Sequence, residues 1–481
     1  MFESSAAVFA RLEENGARFP GSVALASLNG VMNYQGLVGN IASAVVAARK
    51  AGIGPGHLVV VAIANQDIAF VVALALMRIG CRVGYSPNLE LYDLSGVKID
   101  FVIADKAAAI RGRPVLLISP DWFRGEAGIN LQLPPVATDF SMITSSSGST
   151  GRAKLIEAPA GTVPRRLGLS ISALLGEGRS RLLSLGGERV LQIFWESVAV
   201  LVNGGMLVRP VNRRALVILD TIELLRPDVV SIPPAPLLEV MRVLDARPNF
   251  EFKVRMLRSI GAYFAPHVQN AVLDRLAENV MSVYGSVETG WIAWGLSSEL
   301  QKVPGSVGRV ADDREIAAFS SDGRELPPGS EGEIRLKEPD DATSTYLGGN
   351  SAQQSVFTDG WFATGDIGMV DENRNLIIRG RASNVINTGG DKANPEDIET
   401  QLRTFDEVLD VGVTGVDIAD GFQQICAVIV SSSVMDLDDI NTRLRQRKIR
   451  WPVQILKSVS EIPKTQTGKI DRKALKRLCA E

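Results

Sequence analysis

The segment at 144–154, TSSSGSTGRAK, is a run of hydroxyl residues and glycines that ends on a lysine. Glycines let successive main-chain N–H groups point at one spot, and the hydroxyls add donors. Such a nest suits phosphate oxygens, and Lys154 adds a point charge. The spacing is not that of a Walker A loop, GxxxxGK[ST]. Four later segments have the same flavour: YGSVETG (284–290), WFATGDIG (361–368), RGRASNVINTGGDKANPEDIE (379–399) and IPKTQTGKIDR (462–472). Read singly, each has a plain structural alternative. TGD is a turn, GR a strand end, and PKTQTGK a solvated loop.

In this order, the five segments resemble the adenylate-forming superfamily of acyl-CoA synthetases, luciferases and peptide-synthetase adenylation domains, most closely an acyl-CoA synthetase. The resemblance spans essentially the whole chain. It implies that ATP activates a carboxylic acid as an acyl-adenylate, with Mg²⁺ assisting, and that a thiol then displaces AMP. It also implies roles for named residues. Ser146, Ser147, Gly148, Ser149, Thr150, Gly151 and Lys154 would form the phosphate loop. Gly261, Ala262 and Tyr263 would line the adenine and acyl pocket, with Tyr284 stacked on the adenine and Gly285 beside it. Glu288 would hold the metal, a hard cation that suits a carboxylate. Asp366 would accept from both ribose hydroxyls, Arg381 would reach ribose or phosphate, and Lys469 would bridge the carboxylate and the α-phosphate. Ser383 would be the hinge, and Gly389 and Gly390 would border the thiol tunnel.

Three departures from the family's pattern stand out. Val287 replaces the usual threonine, Ala153 the usual proline, and Ser383 the usual aspartate or lysine. In the acid pocket, α-amino acid enzymes carry FDxS, whose aspartate holds the ammonium. Here the tetrad is FWES, with Phe194 and Trp195 at its start. A neutral indole cannot hold an ammonium ion, so the expected substrate is a non-amino acid; a register shift onto Glu196 is the alternative. The expected acceptor is CoA, with a phosphopantetheinyl carrier protein as the second reading. A nucleotide-binding homologue without turnover is the third, motivated by Val287 and Ser383.

Elements must position these residues. Continuous apolar runs such as HLVVVAIAN alternate with helical patterns through residues 36–119, which predicts parallel strands covered on both faces. In the helix within 36–53, Leu37, Ile41, Val45 and Ala48 share a face. Beyond residue 303, short segments with DG and PPG turns predict hairpins. From about 384, PEDIETQLRTF, VLDVGVTGVD, QQICAVIVSS and DLDDINTRLRQRKI predict a small α+β unit, with Pro395 at a helix start. The expected fold is therefore α/β. It has a large N-terminal domain (1–382) with parallel-rich sheets and a small β-rich subdomain, and a mobile α+β domain (383–481) that carries the catalytic lysine.

Bulk properties exclude other classes. A net charge of −3 over 481 residues gives no global field for nucleic acid. The apolar run IAFVVALALM (68–77) is far short of the roughly 20 residues needed to cross a bilayer, so it reads as a buried helix. His57 and His267 have no partners at metal spacing, which argues against a zinc site or a triad. The N-terminus shows no signal-peptide pattern. Cys81, Cys426 and Cys479 lie far apart and form no CxxC pair. Unpaired thiols and a cytoplasmic location are the expectation.

Overall fold

The structure, a computed structural model, describes residues 4–480 apart from 86–87, 107–113, 124–132, 134, 147–153, 177, 186–189, 261–265, 304, 338–342, 349–356, 359, 389–391, 419–422 and 466–468. Packing divides the chain into two compact units, Met1–Ser297 with Glu338–Gly360, and Ser298–Lys337 with Trp361–Glu481. The turn-rich strands after residue 303 thus group with the C-terminal residues. The expected boundary at 382/383 is one of motion during a reaction, which packing does not test.

The first unit contains two sheets. In one, strands run in the order Gly290–Leu296, Val280–Ser286, Met256–Ser259, Val229–Ile232, Arg181–Ser184, Met206–Arg209, Val23–Ser27 and Gly30–Asn33. The central pairings are parallel, and the hairpin pairings at either end are antiparallel. In the other, the order is Thr345–Tyr346, Lys154–Pro159, Ser141–Ser146, Arg82–Gly84, Leu58–Ala62, Phe101–Ala104 and Val115–Leu117. The last five are parallel.

The helices follow from their local sequence. In Tyr34–Lys50 the four residues expected on one face are all buried. Helix Gln66–Ile79 starts where the Asn65 side chain accepts from the N–H groups of Asp67 and Ile68, and it stops at Gly80, whose φ of 94° suits glycine. Every residue from Ala69 to Ile79 in it is buried, as expected for a core helix. Among the described residues no helix is long and apolar enough to cross a membrane. His57 plays a structural part: its Nδ1 accepts from the Gly54 N–H, and its ring lies 5.3 Å from that of Phe101.

The second unit carries an antiparallel run, Glu315–Phe319, Gly332–Lys337, Trp361–Val370, Asn375–Arg381 and Ser306–Val310. The expected DG and PPG turns both fall in the connection between its first two strands, with Gly323 and Gly329 at φ of 82° and 80°. The C-terminal stretch has strands Val408–Asp417, Gln423–Ser431 and Ile455–Ser458, and helices Pro395–Leu402, Leu437–Gln446 and Arg472–Ala480. Pro395 opens its helix. The expectation of three unpaired cysteines is corrected here. The last helix packs on strand Gln423–Ser431, and Cys426 and Cys479 are joined by a disulfide, with Cα atoms 6.3 Å apart. Cys81 is free and buried.

Candidate active site

Glu288 sits in the tight connection between strands Val280–Ser286 and Gly290–Leu296. Glycine is required on both flanks. A Cβ on Gly285 would meet the Gly290 carbonyl oxygen at 2.1 Å, and Gly290 itself has φ of +72°. The main chain of this turn is then gripped from outside. A guanidinium nitrogen of Arg166, a residue only 3% exposed, donates to the carbonyls of Val287 (3.1 Å) and Glu288 (3.2 Å). The Ser344 hydroxyl donates to the Glu288 carbonyl at 2.7 Å. The Val287 side chain packs against the apolar core, a use that a threonine hydroxyl would not serve.

The carboxylate of Glu288 accepts from the Tyr346 hydroxyl through Oε1, at 2.6 Å. Lys154 opens the strand that pairs with Thr345–Tyr346, and its Nζ lies 5.1 Å from the centroid of the Tyr346 ring. The residues expected for phosphate and metal, Lys154 and Glu288, are therefore brought to opposite parts of one tyrosine. Ser146 lies opposite Lys154 in the antiparallel pair of strands. Tyr284 is half-buried on the strand that precedes the turn, paired with Ala293.

In the second unit, Asp366 and Arg381 face each other across adjacent strands. Arg381 Nε donates to Asp366 Oδ1 at 2.7 Å, and an Arg381 terminal nitrogen donates to the Thr364 carbonyl. Asp366 is 8% exposed. Ser383 is exposed, in the short turn Ala382–Asn384. The next residue, Asn384, donates to Glu396 Oε1, which also accepts from Arg472. Lys469 is exposed, and its carbonyl accepts from the Thr465 N–H.

The FWES tetrad lies in helix Leu191–Val202 and is buried throughout. Phe194 and Trp195 pack together, with Phe70, Tyr85 and Phe140 around them. The Trp195 indole N–H has no hydrogen-bond partner among the described residues. Glu196 is fully buried and is held in bidentate fashion by the equally buried Arg258, which also donates to the Ser231 hydroxyl. The Trp291 indole donates to Glu196 Oε1 at 3.3 Å, and its ring lies 4.9 Å from the guanidinium. The Glu196 carboxylate is thus already neutralised by a guanidinium.

Ser147, Gly148, Ser149, Thr150, Gly151, Gly261, Ala262, Tyr263, Gly389 and Gly390 lie outside the described residues, as does the Ser146 side chain. Sequence reasoning missed Arg166, Arg258, Ser344 and Tyr346. Ser344 and Tyr346 stand just before the glycine pair 348–349, which is the local signal nearest to them.

Among the described residues no group of three or more His, Cys, Asp or Glu side chains could hold a metal by itself. That donor set still fits Mg²⁺. The ion commonly binds through one or two carboxylates and completes its shell with water and substrate phosphate. Glu288 Oε2 has no hydrogen-bond partner among the described residues and is the available ligand.

Known proteins resemble this chain over most of its length. A 2-hydroxy-7-methoxy-5-methyl-1-naphthoate–CoA ligase of Streptomyces carzinostaticus is 25% identical over 97% of this chain and 92% of its own length. A sulfoacetate–CoA ligase of Cupriavidus necator is 26% identical, covering 88% of this chain and 87% of its own. Among solved structures, the amide bond synthetase McbA from Marinactinospora thermotolerans shares the fold with a TM-score of 0.82 at 22% identity, over 98% of this chain and 99% of its own. The model of the family described as AMP-binding enzyme matches residues 12–347, and with the turn of Glu288 and the strand of Lys154 both inside that span, this chain is a member of the AMP-binding enzyme family.

Proposed function

We propose that this protein is an acid–thiol ligase: it activates a non-amino carboxylic acid with ATP and passes the acyl group to CoA. In the first step a carboxylate oxygen attacks the α-phosphorus, and pyrophosphate leaves. In the second the thiol sulfur attacks the acyl carbonyl, AMP leaves, and the thiol proton is lost to solvent or a base. The observation that carries the reading is the meeting of Lys154 and Glu288 on Tyr346, within a chain whose relatives are CoA ligases.

Bringing an anion to a polyphosphate needs fixed positive charge and positioned donors. Lys154 and the loop before it would serve the phosphates, and Glu288 would hold Mg²⁺. When bound, that ion would neutralise phosphate charge. Tyr284 would stack on adenine, Asp366 and Arg381 would hold the ribose, and Lys469 would approach the reacting phosphate. Gly261, Ala262 and Tyr263 would line the adenine and acyl pocket, and Gly389 and Gly390 the thiol tunnel. The segment beyond Ser383 would turn between the half-reactions, because Lys469 serves only the first. The preference for a non-amino acid is supported by Glu196: its carboxylate is bound by Arg258 and so does not attract an ammonium. A cytoplasmic site of action, where ATP and CoA are supplied, is part of this proposal.

The test is pyrophosphate release over a panel of aliphatic, aromatic, sulfonated and amino acids, followed by thioester formation with CoA or with a phosphopantetheinylated carrier. Release with a non-amino acid and a CoA thioester is the expected outcome. A thioester on the carrier alone would reassign the acceptor. ATP binding without pyrophosphate release from any acid would leave a nucleotide-binding homologue.

A further inference from the structure

We propose that Tyr346 is a positioning residue for the nucleotide–metal site, joining the phosphate-loop lysine to the metal carboxylate. The inference rests on the reading above that Glu288 holds the divalent cation.

Three segments distant in sequence converge here. The two-residue strand Thr345–Tyr346 pairs with Glu157 and Ile156, and the Leu347 N–H donates to the Leu155 carbonyl at 3.0 Å. This seats Tyr346 beside the strand that begins at Lys154. Just beyond, Gly348 has φ of +65°, and a Cβ there would lie 2.1 Å from the Ser95 carbonyl oxygen. Only glycine fits that exit, so the chain after Tyr346 is held in one course. On its other side the strand reaches the Glu288 turn twice, through Ser344 to the main chain and through Tyr346 to the carboxylate.

Each part of the tyrosine has its own task. The hydroxyl donates to Oε1 at 2.6 Å, within the range of a charge-assisted O–H···O⁻ bond. That fixes the carboxylate plane and leaves Oε2 for a cation. The ring face lies 5.1 Å from the Lys154 ammonium, inside cation–π range, and holds that flexible side chain near the strand from which the phosphate loop emerges. The ammonium also draws electron density from the ring, which strengthens the hydroxyl as a donor. Ligand-orienting partners of this kind typically change metal affinity about 10–100-fold when removed. Val287 offers no hydroxyl to this neighbourhood; within the turn the Ser286 hydroxyl accepts from the Thr289 N–H, and Arg166, Ser344 and Tyr346 hold it from outside.

The test compares Tyr346→Phe with Tyr346→Leu and Tyr346→His. Mn²⁺ binding is measured by the loss of the free-ion paramagnetic resonance signal, in the presence of a non-hydrolysable ATP analogue. Phenylalanine keeps the ring and loses the donor. It should weaken Mn²⁺ by about 10–100-fold, and it should raise the Mg²⁺ needed for half-maximal pyrophosphate release by the same factor. Turnover at saturating Mg²⁺ should recover, and metal-free affinity for the analogue should not change. Leucine also frees Lys154, so it should weaken the analogue even without metal. Histidine restores a donor and should recover part of the Mn²⁺ affinity, which separates positioning from packing. In a Glu288→Gln background, Tyr346→Phe should have no further effect on Mn²⁺. An unchanged Mn²⁺ affinity in Tyr346→Phe, or the same loss in the Glu288→Gln background, would overturn the assignment. Absence of pyrophosphate release by the native protein would overturn the functional reading instead, and the Mn²⁺ measurement would still decide the role of Tyr346.

Discussion

The pair Glu196–Arg258 gives a sharp test, because both side chains have no solvent exposure. Two charges held out of water are tolerable only while they neutralise each other. Substituting one leaves the other buried and alone, which costs about 3–5 kcal/mol, whereas replacing both with apolar residues of similar size is often neutral or stabilising. Glu196→Met should therefore destabilise strongly. It also removes the carboxylate to which the Trp291 indole donates, and of the groups named the guanidinium keeps the Ser231 hydroxyl and the face of the Trp291 ring. Arg258→Met should be similarly costly, since it strands the carboxylate. The double variant should return to within about 1–2 kcal/mol of the native protein, giving a coupling of at least ~3 kcal/mol. Over the roughly 300 residues of this unit, each single variant should lower the thermal midpoint by about 5–8 °C. The assay is urea unfolding followed by tryptophan fluorescence, with the slope checked for constancy. Single variants costing less than ~1 kcal/mol, or a double variant as unstable as the sum of its parts, would refute the closed ion pair. A Glu196→Met protein of native stability that altered its choice between amino and non-amino acids would instead make Glu196 a substrate ligand.

Asp366→Asn should weaken ATP and AMP by about 10–100-fold, since hydrogen bonds to charged groups contribute ~1.5–3 kcal/mol; unchanged calorimetric affinity would remove the ribose assignment. Lys469→Ala should slow adenylation by at least about 10²-fold, while thioester formation from supplied acyl-adenylate is affected far less; equal losses in both steps would contradict its role. Ser383→Pro fixes φ near −65° and deletes an N–H, so pyrophosphate exchange should persist while thioester formation slows; native rates in both assays would place the hinge elsewhere. Burial pushes the Asp397 carboxyl up to about 6, opposed by Arg379 and reinforced by Glu331 and Glu396. The folded protein then binds more protons than the unfolded chain between the ordinary aspartate range and about pH 6, so stability falls as pH rises through that window. Asp397→Asn should abolish this slope and stabilise the second unit at neutral pH by on the order of 1 kcal/mol, allowing for partial exposure; a slope unchanged across that window would show that another group causes it.

Local rules made much of the fold readable. The helix face of Leu37, Ile41, Val45 and Ala48 follows from the 3.6-residue period, and the apolar run 68–77, too short to cross a bilayer, reads as the buried helix it forms. Pro395 marks a helix start because it lacks the N–H that a first turn would leave unpaired. Glu288, Lys154, Asp366 and Arg381 are picked out by the resemblance of their segments to the adenylate-forming superfamily; the structure pairs Asp366 with Arg381 and sets Lys154 and Glu288 on one tyrosine. What the sequence could not yield are the closures between distant segments. Tyr346 meets Glu288 across 58 residues, Arg258 meets Glu196 across 62, and Cys426 meets Cys479 across 53. No periodicity encodes such meetings. They depend on strand register and on which helix covers which sheet, and these are settled only when the whole chain has buried its apolar surface. The same short-range chemistry that makes Glu196 look free to bind a substrate ammonium is reversed by one guanidinium that only the tertiary structure delivers.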